Sequence, residues 1–164
     1  MEAKKVIHSA IEDHTTTVFP NDLNNYGTLF GGKVLEIGDR LAAIVAKRHS
    51  GSSCVTLGID SVRFLAPAHQ GDVLIFQASV NRAWNSSMEI GLKVYKEDLK
   101  TLRRIHIVSA YFTFVAINEA GEPTQVPLLL PETEAEKRRY QEADIRKHLR
   151  MKNMHTRIPP FSIR

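Results

Sequence analysis

A single cysteine, Cys54, stands in the whole chain. That excludes an internal disulfide and makes a reducing cytoplasm the expected compartment. One cysteine also cannot build a zinc site, and the seven histidines show no metal-ligand spacing. No apolar run approaches the ~20 residues that cross a bilayer. The start, Met1-Glu2-Ala3-Lys4-Lys5, lacks the apolar stretch of an export signal. There is no Gly-x-Ser-x-Gly elbow for a serine nucleophile. No repeat or low-complexity stretch occurs, and residues 137–158 hold only Tyr140 as an aromatic, too little interleaving to stack nucleic-acid bases. The expectation is no metal, no cofactor, no membrane and no nucleic acid.

What remains is 164 residues, 43% hydrophobic and 24% charged, the composition of one globular domain with a real core. Charge is unevenly placed. Residues 137–164 carry nine Lys/Arg against two acids, net +7, whereas the first 136 residues net −3. Such a basic end either meets an anionic partner or is a solvated helix face packed on the outside. The domain is set at residues 1–150, followed by an extended basic tail, 151–164.

Hydrophobic periodicity supplies the elements. Thr15–Phe19 reads as a strand stopped by Pro20. Residues 31–48 read as an almost wholly apolar helix with a narrow stripe of Lys33, Glu36, Arg40 and Lys47. Strands are expected at 53–65, 72–83, 87–96 and 103–117. The third alternates clearly, Met88, Ile90, Leu92 and Val94 against Glu89, Gly91, Lys93 and Tyr95. The last is apolar on both faces, as a doubly covered strand is. Thr133-x-x-Glu136 opens a charged helix to about Arg150. One long buried helix before a run of antiparallel strands gives an α+β class, with a curled sheet around a central helix and a C-terminal helix.

The densest chemistry lies in Asn24-Asn25-Tyr26-Gly27-Thr28-Leu29-Phe30-Gly31-Gly32 and in Asp39, about two helical turns further on. Backbone N–H groups at a helix start hold developing negative charge, and paired glycines let a ligand approach them closely. Gly31 and Gly32 are equally a plain loop-to-helix junction. Asp39 is either a general base or an ordinary solvated acid beside Arg40. Asn24 and Asn25 either orient water or form a turn. Asn85-Ser86-Ser87 either bind phosphate through hydroxyls and N–H groups or make a hairpin turn. The string Gly27–Lys33 nearly spells a P-loop, but position 34 is Val and no βαβ pattern follows, so nucleotide hydrolysis is rejected.

Asn24-x-x-Gly27-x-x-Phe30-Gly31-Gly32 with Asp39 seven residues later resembles the hotdog-fold acyl-CoA thioesterases, in the cytosolic, brain-type acyl-CoA hydrolase group. Val55-Thr56, Phe64-x-x-Pro67, Gly71-Asp72, Phe112-x-Phe114-Val115-Ala116 and Val126-Pro127 support it, and the likeness spans about residues 13–145. The family often has Met and Glu around its acid, where this chain has Gly38 and Arg40. The resemblance implies hydrolysis of acyl-CoA to free acid and CoA, with Asp39 as base or nucleophile and Asn24 contributed by the partner subunit. Gly32 N–H would polarise the carbonyl. Gly31, Thr56, Arg63 and Phe64 would bind substrate, with Asn85, Ser86 and Ser87 at the CoA phosphates. Gly38, Ala42 and Ala43 would leave room for the acyl chain. The implied assembly is a homo-oligomer, a dimer at least and commonly a trimer of dimers. A non-catalytic acyl-CoA sensor is the alternative, although no helix-turn-helix accompanies the domain. A hotdog dehydratase needs a histidine that residues 20–40 lack.

Overall fold

Gly31–Ser50 form helix α1 in the computed structural model, which describes residues 2–155. Val34, Gly38, Leu41, Ala42, Val45, Ala46 and His49 recur at three- and four-residue spacing and are buried, so one stripe decides which side meets the sheet. Gly51 stops the helix. At φ 72° it takes the left-handed conformation, and its N–H donates to the Lys47 carbonyl over 2.8 Å. Lys4 Nζ donates to the Arg48 and His49 carbonyls at 3.3 and 2.8 Å, placing a cation at the negative end of the helix dipole.

The strands are β1 (Lys4–Lys5), β2 (Ile11–Thr17), β3 (Ser53–Phe64), β4 (Val73–Ala83), β5 (Ser87–Glu97), β6 (Arg104–Ile117) and β7 (Leu129–Leu130). β1 pairs in parallel with β7, and the other five form an antiparallel sheet in the order β2-β4-β5-β6-β3. The first strand begins earlier than expected and ends at Thr17, because Glu12, Asp13 and His14 belong to an edge strand whose exposed side chains hide its period. β6 is an interior strand, as its double apolar pattern requires.

Met88, Ile90, Leu92 and Val94 of β5 are buried, as are Val108, Ala110, Phe112 and Phe114 of β6. This is the face α1 covers. The helix lies flush there because Gly38 has no side chain: a Cβ would come within 2.5 Å of Leu92 Cδ2 and 3.4 Å of Phe112 Cζ. The room expected at Gly38 for an acyl chain is therefore already filled, and that expectation is corrected.

Helix α2 (Glu134–His155) covers the other face. Thr133 Oγ1 accepts the Glu136 N–H at 3.2 Å, while Glu136 Oε2 accepts the Thr133 and Glu132 N–H groups at 3.0 and 2.7 Å. These reciprocal bonds satisfy donors that the helix start leaves open. Glu89, expected to point away from the core, is 0% exposed. Arg146 reaches it through Nε and Nη2, the shortest contact 2.7 Å, and Arg150 Nη1 spans Glu89 Oε2 at 3.3 Å and Asp60 Oδ2 at 2.8 Å. These pairs carry the helix past Arg150, so residues 151–155 are helical rather than extended. Residues 156–164 of the expected tail lie outside the described residues.

Candidate active site

The loop before α1 is organised by Asn24. Its Oδ1 accepts the N–H groups of Tyr26 and Thr28 at 2.9 and 3.2 Å, and its Nδ2 donates to Thr28 Oγ1 at 2.9 Å. Asn24 is thus a turn-former, with Gly27 at φ 75° closing the turn and Tyr26 left 91% exposed at its tip. The loop delivers the chain to Phe30, which is extended and gives α1 no side-chain cap. The first N–H groups of the helix, those of Gly31 and Gly32, point past its end without an intrahelical acceptor. Gly31 packs under Phe64, whose Cζ would lie 2.9 Å from a Cβ at that position. Gly32 is exposed. A carbonyl oxygen gains most from donors placed in this way.

Asp39 lies eight residues into the same helix, about 12 Å along its axis at ~1.5 Å per residue. It is not paired with Arg40, which Glu36 holds at 2.7 Å. Asp39 Oδ1 instead accepts the Thr56 hydroxyl at 2.7 Å. Thr56 stands on β3 opposite Phe114, so its side chain shares the face that α1 covers. The acid is thereby fixed against the edge strand with one carboxylate oxygen engaged. Charge alone would have paired Asp39 with Arg40; Glu36, read only as part of the polar stripe, is the acid that takes that arginine.

One protomer does not bring all the expected residues together. Asn24, Thr28, Gly31 and Phe64 surround a cavity of about 420 Å³ whose remaining wall is apolar, including Val34, Ile107 and Val108. Asp39, with Thr56 of β3 bonded to it, lies further along α1. Phe64 pairs with Val108 and faces the helix, whereas Arg63 pairs with Ser109 on the opposite face of the sheet. Asn85-Ser86-Ser87 form the β4–β5 turn, closed by the Trp84 N–H to the Ser87 carbonyl at 2.8 Å. The Asn85 and Ser86 carbonyls accept the N–H groups of Val126 and Ala116, both at 2.9 Å. Among the described residues no cluster of His, Cys, Asp and Glu is arranged to hold a metal, and no helix is long and apolar enough to cross a membrane.

A model of the Thioesterase superfamily matches residues 26–102. The uncharacterized acyl-CoA thioester hydrolase YkhA of Bacillus subtilis is 44% identical over 122 residues, covering 74% of this chain and 71% of that protein. A solved apo-hexameric acyl-CoA thioesterase superposes with a TM-score of 0.90 at 39% identity, over 96% of this chain and 100% of that one. An acyl-CoA hydrolase from Staphylococcus aureus, solved in complex with butyryl coenzyme A, coenzyme A and coenzyme A disulfide, gives a TM-score of 0.86 at 35% identity, over 94% and 96% of the two chains. The S. aureus enzyme has also been solved with an asparagine, an aspartate and a threonine each changed to alanine, at successive separations of 15 and 17 residues. With its five-stranded antiparallel sheet, long central helix and C-terminal helix, the chain belongs to the hotdog-fold thioesterase superfamily, among the acyl-CoA thioester hydrolases.

Proposed function

We propose that this chain hydrolyses acyl-CoA thioesters to a carboxylic acid and CoA in a site shared by two copies. The observation that carries the reading is the Asp39–Thr56 pair, held at an exposed edge strand and about 12 Å along α1 from its open N–H groups. One copy supplies the acid, and the other supplies the Asn24 loop with the Gly32 N–H. Asn24, Asp39 and Thr56 are spaced as the three residues changed in the S. aureus enzyme are. The edge strand favours a partner: Val55, Leu57 and Ile59 of β3 and Ile44 of α1 are exposed, Leu57 by 70%. A long apolar edge of this kind is a ready template for pairing with another strand. A dimer formed there is the minimal active unit, and a trimer of dimers is the full assembly, in line with the hexameric relatives.

In this reading the thioester carbonyl oxygen meets the Gly32 N–H, where charge on the tetrahedral intermediate is stabilised. Asp39 takes a proton from the attacking water through the carboxylate oxygen that Thr56 leaves open. Collapse of the intermediate breaks the C–S bond, and that proton passes to the departing CoA sulfur. Thiol release from acyl-CoAs of two to eighteen carbons, with Asp39→Asn beside the wild type, tests the reading. Asp39→Asn is expected to lose about 100-fold or more in turnover. Near-normal turnover in the folded variant sinks the assignment of Asp39. Binding without release at any chain length in the wild type would instead mark an acyl-CoA sensor.

A further inference from the structure

Two cavities flank the first turns of α1 on its sheet side. One is the 420 Å³ volume beside Asn24 and Gly31. The other, of about 350 Å³, lies toward β2 and β4; Ile37, Leu74 and Phe76 form its apolar side, and polar groups including His14, Asp22 and Lys33 also line it. Leu29 and Val34 line both. Those two side chains are therefore the partition between the chambers.

We propose that the acyl chain of the substrate enters the Asn24 cavity and that Leu29 and Val34 set the accepted chain length by closing its inner end. This rests on the thioesterase reading above. The cavity reaches Gly31, next to the Gly32 N–H proposed for the carbonyl, and beyond polar Asn24 and Thr28 its walls at Phe64, Ile107 and Val108 suit an alkyl chain. The pantetheine arm fits them badly, because its amides would lose their hydrogen bonds against such walls. The route beneath the helix behind Asp39 is closed, since Leu92 and Phe112 occupy the space at Gly38. Val34 is 2% exposed, and a β-branched side chain in a helix is nearly fixed in rotamer, which makes it a rigid stop. In a shared site the acid and the acyl chamber then belong to different copies. The general base and chain-length choice are divided between the two subunits.

The experiment compares kcat/KM across acyl-CoAs of two to eighteen carbons for wild type, Val34→Ala and Ala66→Leu. Val34→Ala joins the two chambers. Ala66 lines only the first of them, so Ala66→Leu shortens the pocket without touching the partition and keeps the test decisive if the core variant does not fold. Relative to wild type, Val34→Ala is expected to raise the ratio of long- to short-chain kcat/KM by about tenfold or more, and Ala66→Leu to lower it similarly. An unchanged chain-length optimum in the folded variants overturns the proposal. Absence of thiol release by the wild type is a failure of the thioesterase reading instead. The partition is then judged on acyl-CoA affinities measured by calorimetry: an optimum moving in the same directions supports it, and a fixed optimum overturns it.

Discussion

His49 shows how burial of one side chain ties stability to pH. It is 0% exposed, and its Nε2 lies 2.9 Å from the Pro127 carbonyl, so the neutral ring donates there and Nδ1 carries no proton. Nδ1 is buried without a hydrogen-bond partner. Desolvation pushes the His49 pKa below its usual 6.5, the Pro127 bond opposing and the nearby Lys4 charge assisting. Below about 6.5 the unfolded chain binds a proton that the folded chain resists. Stability is therefore full above that pH and falls as pH drops toward the folded pKa. Melting temperature from pH 8 to 5 should decline on the acid side in wild type and less steeply in His49→Gln; equal slopes would remove His49 as the cause. Asn24, Gly31, Gly32 and Asp39 became candidates through the family resemblance, since the residues alone left each open between a site and a turn, a junction or a solvated acid. His49 was not legible, since nothing local in Lys47-Arg48-His49-Ser50 reveals that Pro127 closes over it.

Among the elements, α2 reads as a solvated charged helix, and its sequence gives little sign of a buried face. Its Arg146 side chain stacks over the Tyr111 ring, 3.8 Å from the centroid, and pairs with fully buried Glu89. Removing one partner of such a pair leaves a charge inside the protein and costs about 3–5 kcal/mol, whereas replacing both by apolar side chains costs far less. Arg146→Ala is expected near the lower end, because Arg150 and Asn81 still contact Glu89. Urea denaturation should show that loss, with Glu89→Leu/Arg146→Met closer to wild type; equal losses would mean that the arginine acts only by packing. The alternation in β5 correctly separated Glu89 from Met88 and Ile90. Strand period distinguishes two faces but cannot say that a second helix covers the polar one, and so Glu89 looked solvent-facing.

For the molecule as a whole, one chain holds the candidate acid and the candidate carbonyl site at two heights of one helix. Mixing equal amounts of Asn24→Ala and Asp39→Ala protein should recover about a quarter of wild-type activity if subunits exchange randomly and each dimer has two shared sites. No recovery after exchange has been verified by mass would count against sharing. The central helix was legible from its long apolar stretch, β5 from its alternation, β6 from being apolar on both faces, and the C-terminal helix from its Thr133-x-x-Glu136 start. The proposed acyl chamber was not, because the room inferred at Gly38 is taken by Leu92 and Phe112, which only tertiary contact could disclose.

The flush contact at Gly38 also bears on motion. Close-packed interiors resist sliding, and with Leu92 seated against the bare backbone there is no slack for α1 to shift over β5. Helix and sheet therefore behave as one rigid plate. Any give that admits substrate is then expected in loops around the helix, rather than between α1 and the sheet.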